Sequence, residues 1–133
     1  MRYVLDADVL IGALDGSDQH HSGARRLFTN WHERNDPVMV SLVNLSEVLV
    51  APSADRRRLR TAREAIAALG VTLHSPTEAI GVDAARMRGR HPISLPDAYL
   101  LATARHSGGT VVSFDRKVVR AAEAEGIPVL AHE

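Results

Sequence analysis

Five short apolar runs, at residues 2–5, 38–41, 71–74, 110–114 and 127–130, are separated by helix-length segments rather than by tight turns. Strands spaced in this way cannot pair as hairpins, so each must lie parallel to its neighbours. The intervening helices must then cover both faces of the sheet. The pattern predicts helices over residues 8–14, 17–31, 42–50, 56–69, 75–88, 94–107 and 115–125. Their punctuation is explicit. Asp55 stands ready to cap the fourth and Gly70 to end it, Ser94-Leu95-Pro96-Asp97 opens the sixth, and Gly108-Gly109 closes it. A chain of 133 residues without repeats, low-complexity tracts or linkers is expected to form a single domain spanning 1–133.

Parallel sheets bind ligands beyond the carboxyl ends of their strands. Acids stand at those positions here. Asp6 and Asp8 follow the first run, interrupting apolar sequence that resumes at Val9-Leu10-Ile11. Asp115 follows the fourth, two residues after Ser113. Glu47 lies past the second, the only charged residue between Asp36 and Asp55, on a helix whose Leu42, Val43, Leu45, Val48, Leu49 and Val50 read as apolar almost all round and therefore buried. Asp97 joins them from the helix that starts at Ser94.

Each acid has a plain structural reading beside the chemical one. Glu47 can bond a neutral core group or an arginine. Asp97 completes a capping box with Ser94, and Asp115 can cap the helix it precedes. Ser113 is either a buried strand hydroxyl or a holder of water. The conjunction is what discriminates. Several carboxylates at one sheet edge repel one another and titrate upward. A divalent cation removes that repulsion, and hard oxygen donors select Mg²⁺ or Mn²⁺. Such an ion polarises phosphoryl oxygens and activates water for in-line attack.

Composition narrows the alternatives. There is no cysteine, which excludes disulfides and thiolate metal sites and is compatible with a cytoplasmic protein. No run approaches the roughly 20 apolar residues of a membrane span, and Asp6 and Asp8 fall where a signal peptide needs apolar sequence. With 16 basic and 16 acidic residues the net charge is zero, so no bulk field advertises nucleic-acid binding and any polyanion has to be held by local patches. Arg56, Arg57 and Arg60, within Arg56-Arg57-Arg58-Leu59-Arg60-Thr61-Ala62-Arg63, form the first candidate rail for a phosphate backbone. Arg86, with Arg88 and Arg90, forms a weaker one. Both runs are equally readable as solvated helix faces. His20-His21 lacks a nearby third metal ligand and reads as surface, Phe28 and Trp31 read as core, and no platform for stacking bases is evident.

Val-Leu-Asp-Ala-Asp-Val-Leu-Ile (4–11), Asn-Leu-Ser-Glu-Val (44–48), Ile-Ser-Leu-Pro-Asp-Ala-Tyr-Leu-Leu-Ala-Thr-Ala (93–104) and Val-Val-Ser-Phe-Asp-Arg (111–116) together resemble the PIN-domain ribonucleases, in particular the VapC-like toxins of toxin–antitoxin pairs. The resemblance spans the whole chain. It implies a three-layer αβα sandwich and an acidic quartet of Asp6, Glu47, Asp97 and Asp115 binding Mg²⁺ or Mn²⁺. Ser113 falls where such proteins carry Thr or Ser beside the last acid, and Asp8 departs from their usual Ser, Thr or Asn. It further implies metal-dependent endoribonuclease activity leaving 5′-phosphate and 3′-hydroxyl ends, frequent homodimers, and a cognate VapB-like antitoxin that threads along the site.

Two rival readings are distinguishable. Asp6-Ala7-Asp8 after a first strand also resembles the haloacid-dehalogenase-like phosphohydrolases, with Asp6 as nucleophile. Those need a Lys or Arg and a late acidic pair; here the only Lys, Lys117, follows Asp115 and no late pair exists. The other rival is a non-catalytic PIN-like binding module whose acids dock a partner's arginines.

Overall fold

The computed structural model describes residues 1–130. Its four strands are β1 (Tyr3–Leu5), β2 (Val38–Ser41), β3 (Thr72–His74) and β4 (Thr110–Val112), all parallel, in the order β3-β2-β1-β4. Between them run α1 (Ala7–Leu14) and α2 (His21–Arg34), α3 (Leu42–Leu49) and α4 (Arg56–Ala68), then α5 (Glu78–Arg90) and α6 (Leu95–Ser107); α7 (Arg116–Ala124) follows β4.

Side chains alternate across a strand, and this sheet uses the alternation to build two cores. Tyr3, Leu5, Val38, Val40 and Val112 pack with α1, α2, Val48 of α3 and Ile66 of α4 on one face. Val4 and Val111 pack with α5, α6 and α7 on the other. The sheet is therefore the middle of three layers, as the sequence predicts. Each fully buried Leu or Val contributes about 1.5–3 kcal/mol, and β1, with all three of its residues buried, is the spine of both cores. Trp31 anchors the first core, stacked on Tyr3 at 4.9 Å and edge-on to Phe28 at 5.0 Å.

The turn into β4 depends on the Gly108-Gly109 pair. Gly108 ends α6 in the left-handed conformation at φ 69°. A Cβ on Gly109 would stand 2.7 Å from Val4 Cγ2, so only glycine lets β4 close on β1. The fifth predicted strand is shorter than expected. Val129 makes one parallel bridge to Val111, held by Val111 N–H donating to Pro128 O at 2.8 Å and Leu130 N–H to Val111 O at 2.9 Å. Pro128 has no N–H to extend the ladder.

One prediction about α3 fails. Only Asn44 and Val48 of that helix are buried. Leu42 and Glu47 are exposed, and Val50, just beyond, is 70% exposed. A two-turn helix offers a single inward stripe, so apolar sequence on its outer side does not imply burial. Among the described residues, no helix is long and apolar enough to cross a membrane.

Candidate active site

The connections after β1 and β4 leave the sheet in opposite directions, α1 to one layer and α7 to the other. Strand order therefore reverses between β1 and β4, and the rule for such sheets places a ligand crevice beyond their carboxyl ends. Asp6 stands on one lip and Ser113-Phe114-Asp115 on the other.

Asp6 is 6% exposed and its carboxylate is held from both sides. Oδ1 accepts from Ala7 N at 2.8 Å, which makes Asp6 the N-cap of α1, and Oδ2 accepts from the Ser113 hydroxyl at 2.6 Å. Ser113 Oγ in turn accepts from Asp115 N at 3.0 Å. Asp115 then caps α7 by accepting from Lys117 N at 2.9 Å. Asp8, in the first turn of α1, accepts from Phe114 N at 3.0 Å through Oδ2. Its Oδ1 is buried with no hydrogen-bond partner.

From the other side, Asp97 completes the capping box of α6: Ser94 N donates to its Oδ2 at 3.1 Å, and Asp97 N to Ser94 Oγ at 3.2 Å. Buried Asn44 ties this helix start to α3. Its amide donates to Pro96 O at 3.1 Å and to Glu47 Oε1 at 3.3 Å. The positive ends of α1, α6 and α7 thus face the acids, a partial compensation for their charge.

The compensation is incomplete. Burial, then the charges of Asp97 and Glu47, push the Asp6 carboxyl up from 3.8 to about 6 against the opposing bonds from Ser113 and Ala7. Asp8 rises to about 7, first from burial and then from the charges of Asp6 and Asp115. Glu47 also rises, from desolvation first and then from Asp97, with Asn44 opposing. The structure brings all five acids into one electrostatic neighbourhood: Asp6 feels Asp97 and Glu47, and Asp8 feels Asp6 and Asp115. No arginine or lysine enters that group of causes.

These residues suit a hard divalent cation. Every donor is an oxygen, and the buried, unpartnered Asp8 Oδ1 is an acceptor in want of a positive partner. Among the described residues, no three His, Asp or Glu side chains form a cage already drawn around an ion. Mg²⁺ does not require one, since it is commonly bound through one or two carboxylates with water completing the octahedron.

A family model described as PIN domain matches residues 3–124. The chain belongs to the PIN-domain family. Solved structures agree. A toxin–antitoxin complex from Klebsiella pneumoniae superposes with a TM-score of 0.74 at 22% identity, covering 97% of this chain and 96% of that one. VapC20 of Mycobacterium tuberculosis, described as a sarcin-ricin loop cleaving toxin, gives 0.73 at 21% identity over 94% and 95%. DNA-bound VapBC from Salmonella typhimurium gives 0.75 at 17% over 98% and 97%. At these identities the likeness establishes the fold. A comparison with curated protein sequences returned no match.

Membership of the PIN family sets aside the phosphohydrolase reading of Asp6-Ala7-Asp8. The predicted arginines lie on α4 and α5. Arg56 and Arg57 are exposed at the start of α4. Arg60 flanks an apolar groove with Leu45, Ile66 and Leu73. Arg86 lines a cleft beside Glu78, Asp83, Arg105 and His106.

Two features escape a sequence reading. Asn44 was legible only as part of Asn-Leu-Ser-Glu-Val; its signal is the i, i+3 spacing to Glu47, which puts amide and carboxylate on one helix face. His20 and Phe114, 94 positions apart, stack at 4.1 Å with an interplanar angle of 17°. His20 and His21 are half-buried, and His21 Nδ1 lies 2.8 Å from Gly12 O.

Proposed function

We propose that this chain is the toxin component of a toxin–antitoxin pair and acts as an endoribonuclease dependent on Mg²⁺ or Mn²⁺. The observation that supports this best is the upward push on Asp6, Asp8 and Glu47 at one sheet edge with no internal cation to relieve it. Asp6, Asp97 and Asp115 are the residues that would hold the ion, directly or through water, with Glu47 at its open side and Asp8 as auxiliary ligand. Bound there, such an ion supplies Lewis-acid stabilisation of charge on the phosphoryl oxygens and a water acidic enough to attack near neutral pH.

The protein's own part is positioning. Ser113 fixes the Asp6 carboxylate by a short bond, and Asn44 aims Glu47 at the space between α3 and α6. Glu47, more exposed than Asp6, is placed to orient an attacking water by accepting its hydrogen bond. The crevice opens to solvent at Glu47, where an extended single strand can enter. No side chain is assigned as a dedicated general base. A VapB-like antitoxin is the expected partner, since structural neighbours are described as VapBC and FitAB complexes, some on DNA. Homodimerisation and a single domain over 1–133 complete the reading.

Incubating the purified chain with total RNA separates this from the binding-module alternative. Cleavage with Mn²⁺ or Mg²⁺, its suppression by EDTA, and a loss of at least a hundredfold in Asp6→Asn and Asp97→Asn support the nuclease. Full cleavage by both variants would falsify the metal-site assignment. No cleavage by any form, with tight capture of an Arg-bearing antitoxin peptide, would leave a binding module.

A further inference from the structure

Beside the acids runs a groove of about 850 Å³ whose lining includes His20, Arg26, Phe114, Arg116, Arg120 and Glu123. It adjoins the proposed active site through the backbone. Phe114 lies between Ser113 and Asp115 and donates its N–H to Asp8, and Arg116 is the residue after Asp115. Arg26, Arg116 and Arg120 are exposed, and among the described residues none of their side chains makes a hydrogen bond or ion pair. Arg34, Arg90 and Arg105, by contrast, are all engaged with carboxylates. Glu123 is the one acid on the lining, against three cations. The His20–Phe114 stack stands in the same lining as these arginines, so planar apolar surface and phosphate-binding charge occur together.

We infer that this groove is a single-stranded RNA subsite: Arg26, Arg116 and Arg120 bind the phosphates flanking the bond presented to the acids, and the His20–Phe114 pair stacks a base. The inference rests on the nuclease reading for its direction, but it makes a separate claim about binding. Aromatic faces accept any base, and arginines accept any phosphate, so the subsite holds strand without dictating sequence. It also resolves how a chain of zero net charge retains a polyanion next to five acids. The α4 arginines are a poorer rail, because Arg60 and Arg63 border an apolar groove that has no aromatic ring in its lining.

The test is fluorescence anisotropy of a labelled ten-nucleotide RNA in EDTA, where no cleavage enters the readout. Arg26→Gln/Arg120→Gln is expected to bind at least tenfold more weakly than the parent. Its log–log salt slope should fall by about 1.4, the share of two phosphates on a single strand. His20→Ala is expected to weaken RNA about fivefold while leaving inorganic polyphosphate unaffected, and His20→Phe to restore RNA binding. Should His20→Ala fail to fold, the arginine pair and His20→Phe still decide the matter. Arg56→Gln/Arg57→Gln is expected to stay within twofold of the parent.

The proposal is overturned if the groove double variant binds like the parent, if the α4 variant loses as much, if the parent binds no RNA, or if an acidic peptide displaces RNA only from the groove-competent forms and binds tighter than it. Failure of the two ideas is distinguishable. Binding through the groove without any cleavage sinks the nuclease and leaves the subsite, whereas cleavage with parental RNA binding by the groove variants does the reverse.

Discussion

The Ser113 hydroxyl donates to Asp6 Oδ2 at 2.6 Å across 107 positions of sequence. Ser113 is fully buried, and the same oxygen receives Asp115 N–H, so one hydroxyl sets both lips of the crevice. Ser113→Ala strands a buried carboxylate oxygen and a backbone donor, at a cost of about 1–3 kcal/mol in stability. Supporting residues of this kind typically matter 10–100-fold to a metal site. The expected outcome is a comparable fall in Mn²⁺-dependent RNA cleavage, with Ser113→Thr, which keeps the hydroxyl, recovering most of it. Equal activity in Ala and Thr variants would show that the hydroxyl plays no part.

Asp6 and Asp8 make an unusual stability profile. Their carboxyls titrate higher in the folded chain, about 6 and about 7 against 3.8, so the native state binds protons more tightly than the unfolded state. Their stabilising contribution is then complete below about pH 4 and is lost as pH rises through 6 and 7. For Asp6 alone the loss is on the order of 3 kcal/mol. Without divalent ions the melting midpoint is expected to rise on going from pH 8 to pH 5.5. Mn²⁺ should raise it more at pH 8 than at 5.5, and Asp6→Asn should melt higher than the parent at pH 8 while cleaving nothing. A midpoint that falls between pH 8 and 5.5, measured calorimetrically in EDTA, contradicts the burial of unrelieved charge.

Much of this arrangement was readable in the chain because its signals are local. Alternation within Tyr3-Val4-Leu5 assigns residues to two cores, and Ser94 with Asp97 announces a helix start. The acids were findable because strand ends are named by hydrophobic runs, and parallel topology collects strand ends at one edge. What escaped is set by distant contacts. Nothing near His20 signals Phe114, and nothing near Asn44 signals Pro96. The burial of α3 departs from its apolar sequence for a related reason: Leu42 and Val50 are apolar, yet no neighbouring element covers them. Periodicity reports what a helix is able to bury, whereas neighbours decide what it does bury.

Asn44 is the tether between Glu47 and the start of α6. Asn44→Ala removes both bonds and opens a small cavity in a buried position, so some destabilisation, about 1–2 kcal/mol, is expected. The informative quantity is the ratio of kinetic constants. Because Glu47 is exposed, losing its tether disorders it without blocking RNA, and kcat should fall about tenfold with KM nearly unchanged. A rise in KM with unaltered kcat would mean that Asn44 supports substrate binding rather than the orientation of Glu47.

At the other end of α7, Glu125 gathers two arginines and a histidine. It accepts from Arg90 Nε and Nη2, each at 2.9 Å, from Arg105 Nη2 at 2.7 Å, and pairs with His91 Nε2 at 2.5 Å. The side chain is 10% exposed. An acid at a helix C-terminus opposes the dipole, so this cluster must more than offset that cost. The Arg90 bonds first, then those from Arg105 and His91, hold the carboxyl well below its ordinary range despite some desolvation. A depressed acid stabilises above its unfolded pKa, near 4.5, and the benefit is lost as pH falls below that. Opposed to the behaviour of Asp6 and Asp8, this places the metal-free chain's stability maximum near pH 4. Glu125→Gln, which keeps shape but not charge, is expected to lower stability by about 1–2 kcal/mol at pH 6. The gap to the parent should narrow as pH falls from 4.5 toward 2. A constant gap from pH 6 to pH 2 in urea denaturation would show that packing, not the carboxylate, clasps α5 and α6 to the end of α7.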